Sequence, residues 1–465
     1  MIFTELRFLL FFAATFVVYW SLRWNGARKV WLLAVSLFFY AVWDWRFLPL
    51  IVGSTLVDYA AGLMMAPAAG RTRRAWLLVS LVVNLGALGV FKYFNFFEQN
   101  LVALGHAVGV EVSAPTLRLV LPLGISFYTF EKLSYTIDIY RGHLRPTRNV
   151  LDLLLFVCMF PRLVAGPIMR AGDLLPQFAT RRVWASVNVR ACLVLFLVGY
   201  FKKACISDTI APAVDAYFGS PHKYSSLSAV IATLLYAAQI YCDFSGYTDM
   251  ARACAGLLGY RFAENFRWPY LAHNITDFWR RWHMSLSSWL RDYLYIPLGG
   301  SRGSRLFTYR NLMLTMLLGG LWHGAAWNFV IWGGIHGLGL VLHKEWTRRV
   351  NPSFGAAGKA VGVLVTFALV CVCWVFFRAP DFDSAVGTLR AMMHLGPVGP
   401  LQLSTKYLWI MAGLAAAHIA AQGDRIFEPL ERLPGWAFAV LYGMAAALAA
   451  GLTPPGTRPF IYFQF

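Results

Sequence analysis

The stretch that decides the fold opens at Asp277 with DFWRRWHMSLSSWLRDYLYIPLGG, residues 277–300. After a basic loop, an apolar run follows that reads LLGGLWHGAAWNFVIWGGIHG at residues 317–337 and carries His323 and His336. Charged groups and imidazoles are costly at membrane depth, where they usually face a cavity or the interior of the bundle. This dense polar cluster in an apolar chain therefore predicts the functional site.

The composition is that of a membrane protein. Hydrophobic residues make up 58% of the 465 residues and charged residues only 14%, whereas a soluble domain carries about 25% charged residues. No long polar linker divides the chain. The sequence therefore predicts an all-α polytopic membrane protein with one membrane-embedded domain over residues 1–465.

The net charge of +19 indicates membrane topology rather than nucleic-acid binding. Lys and Arg lie mainly in short loops between apolar spans, which is the positive-inside pattern, whereas a nucleic-acid partner requires a basic face on a soluble fold. The basic loops 23–29 and 68–75 are therefore predicted to be cytoplasmic, with a periplasmic N-terminus. The first apolar stretch lacks a basic n-region and a small-residue cleavage site, which predicts a retained helix.

Apolar stretches predict about ten or eleven spans of ~20 residues each, together with shorter re-entrant and interfacial helices. The predicted spans include residues 4–22, 30–43, 47–66, 76–92, 187–207, 224–259, 359–377, 405–421 and 436–452, and one or two buried helices over 311–343. Residues 261–300 are too polar to span and predict partly embedded helices that face the cytoplasm. The final aromatic residues, Phe460–Phe465, predict an interfacial tail.

Two segments are too polar or too broken for a lipid-facing helix. In residues 119–140, Glu131, Tyr135 and Asp138 share one helical face, which predicts either a structural polar network or a wall of a reaction chamber. Prolines at 161 and 167, the second in an Ala165-Gly166-Pro167 run, break the following segment. Broken helices at membrane depth are tolerated only against protein or a water-filled cavity.

His323 is the strongest candidate for a catalytic group. Gly319, Gly320 and Gly324 flank it, and glycines let the backbone approach closely and leave space for a ligand. An imidazole in mid-span costs free energy unless it is used or paired, and its unperturbed pKa suits a general base at neutral pH. The alternative is a core histidine, which is the interpretation given to His418.

The sequence predicts no metal site. His336 follows His323 by thirteen residues, which on one continuous helix is ~19 Å of rise and an angular offset of ~220°. No His-x-x-x-His or His-x-x-Glu pair occurs, and the cysteines form no C-x-x-C pair with a matching partner.

Other catalytic arrangements have less support in the sequence. A Ser-His-Asp triad lacks a G-x-S-x-G elbow, and Ser285, Ser287 and Ser288 are typical of turns and helix starts. Asp243 and Asp249 interrupt a long apolar helix and are either catalytic carboxylates or, the favoured interpretation, groups that orient or pack. Removing the proton of a single hydroxyl group needs one general base, so a pair of carboxylates is not required.

Three strings in the deciding stretch resemble the membrane-bound O-acyltransferase (MBOAT) family: FWRRWHMSLS at 278–287, WLRDY at 289–293 and GLWHG at 320–324. YCDFSGY at 241–247 is similar to the family as well. The resemblance runs from the first helix to the last. It is nearest to the branch that holds the membrane subunit of alginate O-acetylation, with the peptidoglycan and cellulose O-acetylation subunits nearby.

The resemblance implies a helical bundle around a central tunnel and roles for two histidines. His323 falls at the position of the family's catalytic histidine, and it would take the proton of an acceptor hydroxyl that attacks an acyl thioester. His283 falls at about the interval of a second active-site position, where the family carries Asn, Asp or His. His283 would orient the acyl group or form a hydrogen bond with its carbonyl oxygen.

The resemblance also implies acetyl-CoA as the acetyl donor. The predicted donor-binding residues are Arg280, Arg281, Trp282, Ser287, Arg291 and Trp322, with Arg302 and Arg305 as further phosphate contacts, since Arg suits phosphate. The alternative interpretation of these arginines is membrane-surface charge.

The implied function is transfer of acetyl through a tunnel in a bacterial inner membrane for O-acetylation of an exopolysaccharide, most specifically alginate. Periplasmic O-acetyltransferase or acetyl-acceptor proteins and membrane lipid are the expected partners, and nucleic acid is not. The alternatives are the same chemistry on peptidoglycan or cellulose, a transporter or flippase, and a scaffold of a polysaccharide export complex. A transporter predicts inverted repeats with paired broken helices, and no such pairing is visible.

Overall fold

The computed structural model describes residues 1–111, 117, 119–163, 166–350, 355–395, 398–420, 428–456 and 458–464. Within these ranges the chain is helical and forms no β-strand, although an isolated bridge joins Tyr224 to Leu401. The all-α prediction is confirmed. By internal contacts the chain divides into two units, Met1–Val189 with Cys254–Ala263, and Arg190–Ala253 with Glu264–Phe465.

Eight helices form the first unit: α1 (Leu6–Ser21), α2 (Asn25–Asp44), α3 (Leu48–Met65), α4 (Gly70–Leu88), α5 (Phe94–Ala107), α6 (Ile125–Arg141), α7 (Val150–Cys158) and α8 (Ala171–Ala179). Apart from Val189 and residues 254–257, which belong to the first unit, the second unit holds α9 (Val189–Tyr200), α10 (Asp208–Gly219), α11 (Ser226–Leu257), α12 (Ile275–Trp279), α13 (Met284–Leu290), α14 (Arg305–His323), α15 (Trp327–Val350), α16 (Ala356–Arg378), α17 (Phe382–Met392), α18 (Tyr407–Ala420), α19 (Glu428–Glu431) and α20 (Gly435–Leu452).

In the part of the chain that the structure describes, five helical stretches are long and apolar enough to cross a membrane: Asn25–Met65, Gly70–Ala107, Ser226–Leu257, Ala356–Arg378 and Gly435–Leu452. The shorter helices α1 and α18 are apolar as well. The chain is therefore a multi-pass membrane protein. Ala421, at the end of one predicted span, lies outside the described residues.

Two of the basic residues assigned to the first loop lie inside α2. Arg28 and Lys29 are buried there, and Lys29 Nζ is 2.6 Å from Asp152 Oδ1. Arg28 donates from Nη1 to the carbonyl oxygen of Arg182. These bonds offset the cost of burying the charges. The basic residues are therefore part of α2, which is 20 residues long, whereas the apolar pattern predicted only the short span 30–43.

The polar face of α6 forms a structural network. Glu131 is buried and pairs with the buried Arg162, and Lys132 Nζ donates to Ser54 Oγ at 2.6 Å. Asp138, by contrast, is only half-buried. The predicted break is confirmed, because α7 ends at Cys158 and the next helix begins at Ala171. Ala165, named in that prediction, lies outside the described residues.

In its described residues, the predicted polar segment 261–300 contains the short helices α12 and α13, a 3₁₀ turn at Pro269–Leu271 and one wide helical turn at Arg291–Tyr295, so it does not span. Residues 311–343 belong to two helices, since α14 ends at His323 and α15 begins at Trp327. The separation calculated for His323 and His336 on one helix therefore does not apply.

The glycines around His323 serve helix packing rather than ligand space. A Cβ at Gly320 would overlap the carbonyl oxygen of Phe329, and a Cβ at Gly333 would overlap that of Met316. At Gly324 the ring of Phe329 takes the same space. The expectation that these glycines leave room for a ligand is wrong at Gly320 and Gly324, because α15 occupies that room.

The C-terminal residues do not form an interfacial tail. Phe460 is 0% and Ile461 2% exposed, and the ring of Phe460 lies 5.3 Å from that of Phe244. The interfacial prediction is therefore wrong for these residues, since aromatic packing has taken them into the interior. Phe465 lies outside the described residues.

Candidate active site

His323 ends α14 and sits in an aromatic cage. It is 5% exposed, and four ring centroids lie 4.9–5.5 Å from its own: Trp322, Trp332, Phe377 and Tyr462. α14, α15 and α16 supply the first three rings. Such a site excludes water from the imidazole, and electrostatic interactions are stronger in a water-free site.

His283 precedes α13 in a left-handed backbone conformation, with φ of 42°. Few residues other than Gly adopt this conformation, and such strain persists where the surroundings enforce it, often at functional sites. The enforcing contact is Asn265, whose backbone carbonyl accepts from Met284 N–H at 2.9 Å. Its side-chain oxygen lies 3.1 Å from His283 Nδ1.

The hydrogen bonds at Asn265 determine the tautomer of His283. The backbone N–H of Ser285 donates to the same Asn265 Oδ1 at 3.1 Å, so that atom is an acceptor and His283 Nδ1 must carry the proton. Burial lowers the pKa of His283 to about 3, and this residue lies outside the candidate spans. In the neutral ring, Nε2 therefore carries a lone pair. This nitrogen can accept a hydrogen bond but cannot donate one to a carbonyl oxygen.

Two tryptophans link the three histidines of the region. The ring of Trp322 lies 6.2 Å from His283 and 5.0 Å from His323. The ring of Trp332 lies 4.9 Å from His323 and 4.6 Å from His336. His336 is 0% exposed, and its ring nitrogens have no hydrogen-bond partner among the residues that the structure describes. The structure therefore places all three imidazoles in one aromatic cluster.

Two adjoining cavities lie beside this cluster. The outer one, of about 720 Å³, has a basic lining that includes Arg280, Arg291, His343, Lys344, Arg305 and Arg348. The inner one, of about 420 Å³, is lined mainly by apolar groups that include Trp279, Met284, Leu290 and Met316. The cavities share six lining residues: Thr276, Arg280, Arg291, Tyr295, Leu312 and Leu340.

The inner cavity approaches His323 through two indole rings. Trp279 lines this cavity, and its ring centroid is 5.8 Å from that of Trp332. Trp332 in turn contacts His323. His323 itself is not among the described residues that line either cavity.

The predicted donor-binding residues fall into two groups. Arg280 and Arg291 line both cavities, Arg305 the outer and Ser287 the inner. Arg281, Trp282, Trp322 and Arg302 are not among the described lining residues. Arg281 pairs instead with Asp277 at 2.9 Å, and Trp282 is 1% exposed among aromatic rings that include Phe266 and Trp374.

Sequence reasoning missed several residues of this region. Lys344 and Arg348 line the outer cavity, and their i, i+4 spacing near the end of an apolar helix was an available signal. Asn265 and Tyr462 carried no such signal, because each meets its histidine through the tertiary fold.

Asp243 and Asp249 are both held by lysines. Asp243 Oδ1 lies 2.7 Å from Lys203 Nζ, and Asp243 Oδ2 accepts the backbone N–H of Ile461 at 2.6 Å. Asp249 lies 2.7 Å from Lys202 Nζ. These pairs give both carboxylates a structural function. Within the described ranges, no group of three or more His, Cys, Asp or Glu side chains is arranged to hold a metal ion.

Comparison with known proteins assigns the chain to a family. The MBOAT, membrane-bound O-acyltransferase family, matches residues 8–379. The chain is 43% identical over 446 residues to the probable alginate O-acetylase AlgI of Azotobacter vinelandii, which covers 93% of this chain and 87% of that protein.

Two further relatives have different names. The chain is 38% identical over 405 residues to the peptidoglycan O-acetyltransferase of Helicobacter pylori, with 81% of this chain and 76% of that protein covered. The teichoic acid D-alanyltransferase of Streptococcus thermophilus is 27% identical over 281 residues, covering 55% of this chain and 68% of that protein. By this family match and these identities, the chain belongs to the membrane-bound O-acyltransferase family and is a multi-pass membrane O-acyltransferase.

Proposed function

We propose that this enzyme is a bacterial inner-membrane acetyltransferase that takes acetyl from cytoplasmic acetyl-CoA and passes it towards the periplasm for O-acetylation of an exopolysaccharide. Alginate is the favoured final acceptor, because the relative that covers most of this chain is named an alginate O-acetylase. Periplasmic O-acetyltransferase or acetyl-acceptor proteins are the proposed partners. The observation that carries the proposal is a basic cavity that adjoins a mainly apolar one, whose lining residue Trp279 contacts the indole that packs on His323.

The chemistry of the two cavities fits a CoA thioester. CoA carries phosphates at one end, which suit the arginines and Lys344 of the outer cavity, since guanidinium groups bind phosphate in a bidentate manner. Its pantetheine arm suits the smaller, mainly apolar inner cavity. The proposal requires the indole of Trp279 or Trp332 to move aside when the thioester reaches the base.

In the proposed reaction, His323 acts as the general base. The acceptor hydroxyl oxygen attacks the thioester carbonyl carbon as His323 takes the hydroxyl proton. A C–O bond forms, the C–S bond breaks, and CoA leaves as the thiol with the proton that His323 returns. His283 would orient the acyl group, and its Nε2 would accept a hydrogen bond from a donor other than the hydroxyl whose proton His323 takes.

Peptidoglycan is the second candidate acceptor, favoured by the 38% identity to a peptidoglycan O-acetyltransferase. Cellulose O-acetylation would use the same chemistry. The acetyl content of alginate and of peptidoglycan, measured in one deletion strain, distinguishes these acceptors.

The test of the proposal is His323→Ala in a strain that lacks the chromosomal gene. We expect the variant to accumulate in the membrane as the parent does, while base-labile acetyl on the exopolysaccharide falls by about 10²–10⁴-fold, the usual effect of removing a general base. The same variant separates an enzyme from a scaffold, since a scaffold would keep its effect without the imidazole.

His336→Ala is the matched control, because His336 is equally buried and meets the same indole of Trp332. The His336→Ala substitution should lower acetyl transfer less than His323→Ala does. Full acetylation with His323→Ala would overturn the general-base assignment.

A further inference from the structure

The C-terminal segment from Arg458 to Tyr462 brings a ring to His323 from outside the region that matches the family. The family match ends at residue 379, whereas the centroid of Tyr462 lies 5.5 Å from that of His323. We call residues 458–462 the C-terminal strap. This contact places Tyr462 beside the proposed base.

Polar bonds at two places anchor the strap. Arg458 Nη1 lies 2.7 Å from Asp215 Oδ2, and the backbone N–H of Ile461 donates to Asp243 Oδ2 at 2.6 Å. Asp243 is itself held by the buried Lys203. Because Lys203 holds Asp243, the carboxylate oxygen that accepts from Ile461 has a fixed position, and this bond holds the strap in the interior.

The ring of Tyr462 is part of the wall around His323. It lies 4.8 Å from the ring of Phe244 and 6.1 Å from that of Phe377, and it stacks on Phe460 at 5.3 Å. Tyr462 is not among the described residues that line the two donor cavities. Its ring therefore contacts the proposed base without taking part in the wall of either cavity.

Tyr462 differs from the other three rings of the cage in how it is held. Trp322, Trp332 and Phe377 project from α14, α15 and α16, whereas Tyr462 comes from the short 3₁₀ turn Ile461–Gln464. A change at Tyr462 alters the space beside His323 without altering a core helix. This position can therefore set the size of the acyl group that the cage admits.

We propose that Tyr462 is a specificity-determining residue, whose ring limits the transferred acyl group to the two carbons of acetyl. The inference rests on the proposed function, in which the thioester carbonyl reacts beside His323. An acetyl group extends past its carbonyl by one methyl, whereas propionyl needs space for one more carbon. One methylene in a hydrophobic pocket changes discrimination by about 10–200-fold.

The experiment compares two donors in membrane vesicles from the native host, with the chromosomal gene deleted and each variant supplied in its place. Radiolabelled acetyl-CoA or propionyl-CoA is added, and label transferred from CoA to acid-precipitable material is measured. We expect Tyr462→Ala to raise the propionyl-to-acetyl ratio by about tenfold over the parent. Tyr462→Phe keeps the ring and should leave the ratio unchanged.

If the Tyr462→Ala protein does not accumulate in the membrane, the Arg458→Gln variant tests the strap instead. Arg458 is on the outer end of the strap, and Arg378 still pairs with Asp215 at 2.7 Å, so the fold keeps one ion pair there. A loosened strap should raise the same ratio by a smaller factor.

The outcomes separate this inference from the proposed function. If parent vesicles transfer acetyl and His323→Ala vesicles do not, while Tyr462→Ala and Arg458→Gln both keep the parental ratio, the specificity assignment is overturned and the base assignment stands. If parent vesicles transfer label from neither thioester, the donor in the proposed function is wrong, and the specificity assignment is lost with it.

Discussion

Arg280 and Arg281 are neighbours in the sequence, but their side chains have different surroundings. Arg280 is exposed and lines both cavities, whereas Arg281 is bonded to Asp277. Residues adjacent on a helical turn point about 100° apart, so only one of the pair faces the proposed CoA site. The two arginines therefore form a matched pair for testing donor binding.

Arg280→Gln should weaken the binding of acetyl-CoA by about tenfold, because a charge-assisted hydrogen bond to phosphate contributes more than a neutral one. The loss should be larger at low salt, where phosphate attraction is least screened. Arg281→Gln should change affinity little. Calorimetric titration of purified protein at low and high salt measures both, and equal affinities for the two variants would show that the cavity is not the donor site.

At the scale of elements, the packing of α14 on α15 places His323. The helices meet at Gly320 and Gly333, where each backbone takes the space of the other's missing Cβ. This close approach brings Trp332 of α15 against His323 at the end of α14. The geometry of the candidate base therefore depends on two residues that have no side chain.

Gly333→Ala should destabilise the protein by about 1–3 kcal/mol, the usual cost of overpacking a core, because the new methyl meets the carbonyl of Met316. The Gly333→Ala variant should also transfer less acetyl, since the new contact would shift His323. Gly334→Ala is the control, because its Cβ would lie 3.5 Å from Leu317 in ordinary van der Waals contact. Thermal unfolding in detergent compares the two, and equal melting temperatures would contradict the packing argument.

At the scale of the whole molecule, the charge distribution predicts how the chain crosses the membrane. The predicted loop 68–75 includes the start of α4, and Arg71, Arg73 and Arg74 lie there, next to the connection from α3. Short loops rich in Lys and Arg remain cytoplasmic. The proposed supply of acetyl-CoA from the cytoplasm depends on such a fixed orientation.

Thr72→Cys tests this orientation, because Thr72 is exposed. We expect a membrane-impermeant thiol reagent to label this variant above the parent only after spheroplasts are permeabilised. The parent protein gives the background from the native cysteines. Labelling of intact spheroplasts from outside would place the loop in the periplasm and reverse the topology.

The sequence by itself determined the class, the family and the candidate histidines. Apolar composition is a property of the whole chain, and the strings around Trp282 and Trp322 are contiguous, so neither requires knowledge of the fold. The same strings named His283 and His323 as candidates, and their roles stay predictions. The break after Cys158 was likewise predictable, because proline acts on the local backbone.

Only the tertiary structure decided what surrounds those histidines. It brought Asn265 into contact with His283, which determines the tautomer, and Tyr462 into contact with His323, although the members of neither pair are neighbours in the sequence. It also filled the space beside Gly320 with α15. The physical reason is that hydrophobic periodicity and local motifs specify which residues form a helix. Which side chains meet depends on how the helices pack, and contacts between residues far apart in the sequence leave no local pattern.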